Sequence, residues 1–561
     1  MTTDTVTTVA GRRVRPVGAL VVLSLGLFMT LLDLTIVNVA IPRISDGLGA
    51  GLDSILWVLN AYSLVYAVLL ITSGRLGDIA GPRRLFMIGT AVFTAASLLS
   101  ALATSPAELI LSRAAQGLGA AILAPQGLPI LLSIFPREKR AVVFAIFGVL
   151  AGLAVLAGPT LGGFLVTRFG WQSIFYVNLP VGVLVIAAAV VLVPDIRPGT
   201  RHRLDITGVG LATLGLLGVV YGLIEGQRYQ WGTITGVVSI PMVIVAGAVV
   251  MALFLLHQAR RQDREPLLPF AVFGNRNFSV MTFVLSAMGF TIVAFYLPLT
   301  IYLQSVLGLS AIDAGLTIAA QPLTMILLSG VANGIMARVS PKSLLIGGLL
   351  GLAAGTGFIA LAIHADSGRW SFLPGLILAG AGMAFIWGPV YNLATRDLRP
   401  EHAGVASGVI NTIQELGAVL GGAVVGAVLQ TQLATNLRNG AMARAALLPA
   451  PARASFIDGF SHAGRSGLAV GAGQNGVPAG ALAHLPATVA AQVQQASHDV
   501  FATAFVDSMR PTLFIGMAVV LIAAAIACLA RAHPDNPAAA AVGSDPGVNR
   551  EQAAERQVVA T

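Results

Sequence analysis

The chain of 561 residues reads as an all-α polytopic membrane protein, and three observations carry that reading. Hydrophobic residues make up 56% of it and charged residues only 10%. The apolar residues fall in runs of roughly 20, the length of helix that crosses a bilayer. The cations are shared unevenly among the connections between those runs, which is how a membrane chain encodes its orientation.

Residues 1–16 form a polar tail with Arg12, Arg13 and Arg15. The apolar run that follows is too long for a cleaved signal peptide and lacks a cleavage site, so it is expected to stay as the first helix. Spans are expected near 17–41, 55–73, 85–103, 107–134, 142–167, 174–193, 206–224, 234–256, 278–303, 314–336, 344–363, 371–395, 404–431 and 511–530. Fourteen spans place both termini on one side of the membrane. With that side cytoplasmic, the short outer loops hold only Arg43, Arg168, Arg228 and Arg369, while the tails and inner loops hold most of the 33 Lys and Arg. That asymmetry sets the termini inside. The formal charge of +9 is therefore a topology signal, dispersed over loops rather than gathered into a nucleic-acid-binding face. The lone Cys528 gives neither a disulfide framework nor a cysteine metal site, and no cofactor is expected.

Between the second and third runs lies a charged, glycine-rich stretch, Gly74-Arg75-Leu76-Gly77-Asp78-Ile79-Ala80-Gly81-Pro82-Arg83-Arg84-Leu85. It is expected to be a tight loop, with Gly77 and Gly81 supplying backbone freedom and Pro82 opening the next helix. Arg75, Arg83 and Arg84 suffice as a topology signal, so Asp78 among them points to a further role. A weaker copy, Asn333-Gly334-Ile335-Met336-Ala337-Arg338-Val339-Ser340-Pro341-Lys342-Ser343-Leu344, has Ala337 where Asp78 stands. Two related six-helix bundles, 17–193 and 278–531, with two inserted helices in 194–277, account for the span count and for this repeat. Residues 432–510 are expected to be a partly ordered outer segment, helical and amphipathic only over Leu485–Met509, and 532–561 a disordered tail.

Ionisable side chains at membrane depth cost about 2.5–3.5 kcal/mol to insert and are functional candidates by default. Asp33 and Arg113 each lie seven or eight residues below the outer ends of their spans, roughly 10–12 Å deep at about 1.5 Å per residue. They pair if the first and fourth spans are neighbours, either as a static ion pair or as a working one. Gln116, one turn beyond Arg113, shares its face. Glu415 lies near the middle of the thirteenth span, either as a second titrating group facing a cavity or as a buried, permanently protonated carboxyl. In the fifth span, Gly158, Pro159, Gly162 and Gly163 admit a close helix neighbour and a bend, so plain packing and a gating hinge stand equal.

These residues resemble the major facilitator superfamily and, within it, the fourteen-helix drug:proton antiporters. The carriers of the likeness are Leu32–Pro42 in the first span, the Gly74–Leu85 stretch, Arg113-Ala114-Ala115-Gln116-Gly117, Gly158-Pro159-Thr160-Leu161-Gly162-Gly163, and Phe175-Tyr176-Val177-Asn178-Leu179-Pro180. The resemblance implies proton coupling through Asp33 and Arg113, a cytoplasmic gate locked by Asp78 near Ala403 and Gly404, and export through the glycine-proline helix. Asn38, Gln116, Gln321 and Glu415 become the polar candidates for the substrate cavity. Gln172-Ser173 and Gln414-Glu415 depart from the usual pattern.

The function expected is a proton-coupled antiporter in a prokaryotic cell membrane, acting as a monomer and exporting amphipathic, drug-like or antibiotic compounds. An exporter of a lipid or a self-made natural product is the rival within transport. A membrane enzyme is the rival outside it, but no Ser/His/Asp, His-rich or paired-acid cluster occurs at the membrane surface. No Gly-x4-Gly-Lys-Ser/Thr loop is present to couple ATP.

Overall fold

The computed structural model describes residues 7–9, 12–49, 52–195, 205–226, 229–263, 266–336, 338–396, 398, 403–465 and 487–531. Among these, thirteen helices are long and apolar enough to cross a membrane. The fifth expected span is not among the thirteen. It falls on a continuous helix, Arg137–Phe169, whose 33 residues exceed the thickness of a bilayer core.

The first half contains α1 Pro16–Leu48, α2 Leu52–Ala80, α3 Pro82–Leu102, α4 Pro106–Leu123, α5 Gly127–Ile134, α6 Arg137–Phe169, α7 Ser173–Tyr176 and α8 Asn178–Leu192. Here α2 and α3 both pack on α4, and α1 packs on α6 and α8. Ser105 fixes the start of α4. Its hydroxyl accepts from the Glu108 N–H at 3.3 Å, while the Glu108 carboxylate reaches back to the Thr104 N–H at 2.8 Å. That cap sets the register in which Arg113 and Gln116 face inward.

The expected loop at Gly74–Leu85 is corrected by the structure. Helix α2 continues through Gly74, Arg75, Gly77 and Asp78 to Ala80, and the reversal is confined to Gly81, with φ of +96°, followed by Pro82 in the first turn of α3. Gly77 serves packing rather than freedom, because the Gln126 side chain lies across it and donates to the Ser73 carbonyl at 3.0 Å. Arg75 is buried, Arg84 is exposed, and Arg83 donates to the Val190 carbonyl at the end of α8.

Two further helices, α9 Ile206–Glu225 and α10 Ile240–Ala259, form a close hairpin that leans on α2 and α18. Asp205 ties its ends together. The carboxylate caps α9 through the Gly208 N–H at 3.1 Å and accepts from Gln258 at 2.9 Å, with His257 at 3.1 Å. Burial pushes this carboxyl up, but the bonds from Gly208, Gln258 and His257 and the charge of Arg261 outweigh it and hold it below the usual range.

The second half runs through α11 Ala271–Gly274, α12 Arg276–Ile301, α13 Ala311–Ile318, α14 Ala320–Met336, α15 Pro341–Ala362, α16 Leu373–Ala384, α17 Trp387–Thr395, α18 Ala403–Ala445, α19 Ala450–Arg465 and α20 Ala487–Ala527. The two longest, α18 with 43 residues and α20 with 41, reach about 60 Å at 1.5 Å per residue, twice a bilayer core. They overrun the expected spans and extend as helix into 432–510. There Leu433, Leu437, Phe456, Phe460, Val493 and Val500 are buried, and Arg444 pairs with Asp499 at 2.8 Å. The alanine-rich composition hides this seam, since its apolar anchors are few and spaced one turn apart. Residues 466–486 and the tails 1–6 and 532–561 lie outside the described residues, as does Ala337 of the repeat.

Candidate functional site

The buried polar centre of the first half is built on five helices. From α4, Arg113 donates through Nη1 to Asp33 Oδ2 on α1 and to Gln116 Oε1 at 2.9 Å. Its Nε donates to the Val58 carbonyl of α2 at 3.2 Å. Gln116 Nε2 donates to the other Asp33 oxygen at 3.2 Å and to Ser97 Oγ at 2.7 Å. A third donor, Asn178 Nδ2 at the head of α8, reaches the same Asp33 oxygen at 3.2 Å. Ser100 Oγ bonds Ser112 and Gln116, closing the network toward α3.

Asp33 is 0% exposed and Arg113 1%. Two charges can be held there because each has the other and further hydrogen-bond partners, since removing them from water costs several kcal/mol per ion. The guanidinium is also covered by aromatic faces: its carbon lies 4.5 Å from the Tyr62 ring centre and 5.9 Å from that of Phe175. The three donors on Asp33 suit an ionised carboxylate, which accepts and cannot donate. Of this network, Asp33, Arg113 and Gln116 are residues the sequence singled out. Asn178, Ser97, Ser100 and Ser112 are not, and only Asn178 carried a signal, as part of a quoted stretch.

Helix α6 lies against α1 at its glycines. A Cβ at Gly158 would come 2.6 Å from Thr35 Cβ, and one at Gly162 would come 2.7 Å from Ile36 Cγ1. The Thr35 hydroxyl donates to the Ala154 carbonyl of α6 at 3.1 Å. Gly163 is buried too, and the Pro159 side chain lies outside the described residues. The close approach brings α6 alongside the helix that carries Asp33, and it is tight helix packing in geometry.

A second site joins the two halves. Asp78 Oδ2, one turn before the Gly81 break, accepts from the Val405 N–H at 3.2 Å, in the first turn of α18. That N–H is one of the four at a helix start with no intrahelical partner, and the carboxylate also faces the positive end of the helix dipole. One turn further along, a Cβ at Gly408 would come 2.9 Å from the Leu70 carbonyl oxygen, so α18 and α2 are in backbone contact.

The remaining candidates are dispersed. Gln321 on α14 is 1% exposed and accepts from the Tyr296 hydroxyl within the second half. Glu415 on α18 is half-buried, and among the described residues it has no hydrogen-bond or ion-pair partner. The Asn38 side chain lies outside the described residues. No group of three or more His, Cys, Asp or Glu that could hold a metal occurs among the described residues.

The family model described as Major Facilitator Superfamily matches residues 23–422. The chain is 34% identical over 453 residues to a probable actinorhodin transporter of Streptomyces coelicolor, covering 79% of this chain and 75% of the relative. It is 31% identical over 538 residues to a tetracenomycin C resistance and export protein of Streptomyces glaucescens, with 95% of each covered. In fold it is similar to the proton:xylose symporter XylE, with TM-score 0.52 and 14% identity over 72% of this chain and 87% of that one. With a mostly helical fold, a buried ion pair inside its apolar helices and a family match over most of its length, the chain belongs to the Major Facilitator Superfamily.

Proposed function

We propose that this protein is a proton-coupled antiporter that exports amphipathic, drug-like or antibiotic compounds across the cell membrane by alternating access. The observation that carries the reading is Asp33: a carboxylate at membrane depth, closed off from solvent and held by three donors from α4 and α8. A change of conformation that moves those donors changes what the carboxylate is bonded to, which ties the state of this group to the transport cycle. The names of the Streptomyces relatives, an actinorhodin transporter and a tetracenomycin C resistance and export protein, support export of antibiotic compounds. The test is uptake of a fluorescent amphipathic dye into everted vesicles, where export runs toward the lumen. Dye should accumulate when an acid interior is imposed and stop when a protonophore collapses the gradient; accumulation driven equally well without the gradient sinks proton coupling.

The same reading takes fourteen membrane spans, with the Arg137–Phe169 helix as the fifth, both termini cytoplasmic and the 432–510 segment outside. Protease added to intact cells should then cut within 432–510 and spare both tails. Cleavage of either tail from outside reverses the topology.

Asp78 belongs to the gate on the cytoplasmic side. The Asp78–Val405 bond forms where α2 meets the start of α18, and a charge at a helix N-terminus contributes about 0.3–1 kcal/mol. Asp78→Asn keeps the shape and loses that charge. Substrate affinity should be retained while the transport rate falls several-fold, as read by binding and initial-rate assays on the same preparation. An unchanged rate would assign the carboxylate to topology alone.

A further inference from the structure

Helix α9 of the inserted hairpin has two buried faces. On one, Gly215, Gly218 and Gly222 lie against α10, where a Cβ would come 2.9 Å from the Met251 nitrogen, 2.9 Å from the Gly247 Cα and 2.4 Å from Ile244 Cγ1. On the other, Ala212, Leu216 and Val220 follow one another at single turns and are buried in one apolar cluster with Leu64, Ala67, Val68 and Ile71 of α2. Helix α9 packs on both α2 and α18, which also pack on each other, so it fills the groove where the two halves meet. Helix α10 stands outside it, with Met242, Val245 and Val249 exposed.

The hairpin is attached to the two halves in different ways. At its base, the Gln258 side chain accepts from the Leu268 N–H at 3.2 Å, and Gln262 accepts from the Phe270 N–H at 2.8 Å and donates to the Leu268 carbonyl at 3.2 Å. These bonds fasten it to the chain that leads into α11 and α12 of the second half. Toward α2 the surface is apolar: the Trp57 and Tyr221 rings lie 5.9 Å apart, and Leu64 and Val68 follow Trp57 on the same face of α2. Such surfaces slide past each other without breaking hydrogen bonds, as packed helices do in shear motions. Rocking of the halves therefore leaves α9 with α12 and α18 and moves α2 across it.

A cover is needed on this side. When α2 parts from α18 the Asp78–Val405 bond opens, and Thr412, buried one turn beyond Gly408 on α18, loses its shelter. Lipid satisfies neither a carboxylate nor a hydroxyl. The opposite seam is built otherwise. There α6 meets α13, α14 and α17 directly, and among the described residues no further helix packs on both α6 and α14. Leu323, Leu327 and Val331 of α14 are exposed.

We propose that the α9–α10 hairpin is a lateral seal that shuts bilayer lipid and lipophilic compounds out of the α2–α18 seam, so that a lipophilic substrate drawn from the bilayer enters between α6 and α14. The seal follows from the packing; only the substrate route rests on the export reading.

The test labels the full-length protein in proteoliposomes with a lipid-dissolved aryl diazirine, a photoprobe that inserts into the side chains it touches, and reads the sites by mass spectrometry. Leu327 and the outer face of α10 should be labelled. Leu64 and Val68 should stay near background, both at rest and while an imposed proton gradient drives export of an amphipathic dye. During export, labelling where α6 and α14 meet should rise about twofold or more. Leu216→Ala combined with Val220→Ala thins the face that α9 turns to α2, and should raise labelling of Leu64 and Val68 about fivefold or more. Leu217→Ala, on the exposed face of α9, should leave it unchanged. Labelling of Leu64 and Val68 equal to that of Leu327 in the unaltered protein, or no rise in the double variant, would overturn the seal. Labelling that rises during export on α2 and α18 rather than on α6 and α14 would overturn the route. Protection of Leu64 and Val68 in vesicles that show no gradient-driven dye export would leave the seal standing and remove the export reading instead.

Discussion

Asp33→Asn should abolish proton-driven export and leave a folded protein that still binds its substrate. The amide has the volume of the carboxylate and keeps an oxygen for Arg113, so the network contracts around it without a cavity. What it lacks is an exchangeable proton and the charge opposite Arg113. Leaving one partner of a buried pair uncompensated costs on the order of 3–5 kcal/mol when the partner is removed outright. The retained acceptor should keep the loss below that, visible as a lowered midpoint of thermal unfolding. An imposed gradient with a 100 mV potential supplies about 2.3 kcal/mol per charge moved, and the variant has no group at this position to use it. Efflux in energised vesicles should fall to the leak rate. A variant that still concentrates substrate, with substrate-linked proton flux intact, would move the proton to another residue.

Arg113→Ala should have the larger effect on stability. It removes the ion pair, the bonds to Val58 and Gln116 and the contacts with Tyr62 and Phe175, and it leaves Asp33 charged and enclosed. A loss of about 3–5 kcal/mol is a large part of the stability of most domains, so yield in the membrane should collapse. Adding Asp33→Asn removes the orphaned charge and should restore much of the yield while transport stays absent. Arg113→Lys should fall between, because an ammonium cannot serve Asp33, Gln116 and the Val58 carbonyl from one position. Equal yield for Arg113→Ala and wild type would show that the pair is not buried in the working protein.

Much of the site was legible in the sequence because charge at membrane depth is rare and costly. Asp33, Arg113 and Gln116 announced themselves by residue type and depth alone, and the structure brings all three together. Ser97, Ser100 and Ser112 complete the same network but gave no signal, since a serine can bond its own helix and sits in a span at little cost. Tyr62 passed as an ordinary apolar residue, and only the packing of α2 on α4 lays its ring against Arg113. Asp78 was marked by its setting among arginines. The loop expected around it failed because glycine and charge were read as a turn signal, whereas here Gly77 accommodates Gln126 and the helix runs on to Gly81. Helices beyond the span ends were hidden for a related reason: once a helix leaves the bilayer its continuation rests on a narrow seam of Leu, Val and Phe among alanines, which composition does not reveal.

The most direct test of antiport reverses the driving force. In proteoliposomes loaded with substrate and held at equal pH on both sides, with the membrane potential clamped at zero, substrate flowing out should draw protons in, seen as acidification of the lumen. The flux should vanish in Asp33→Asn. Protons leaving together with the substrate, or substrate leaving with no proton movement at all, would contradict the account.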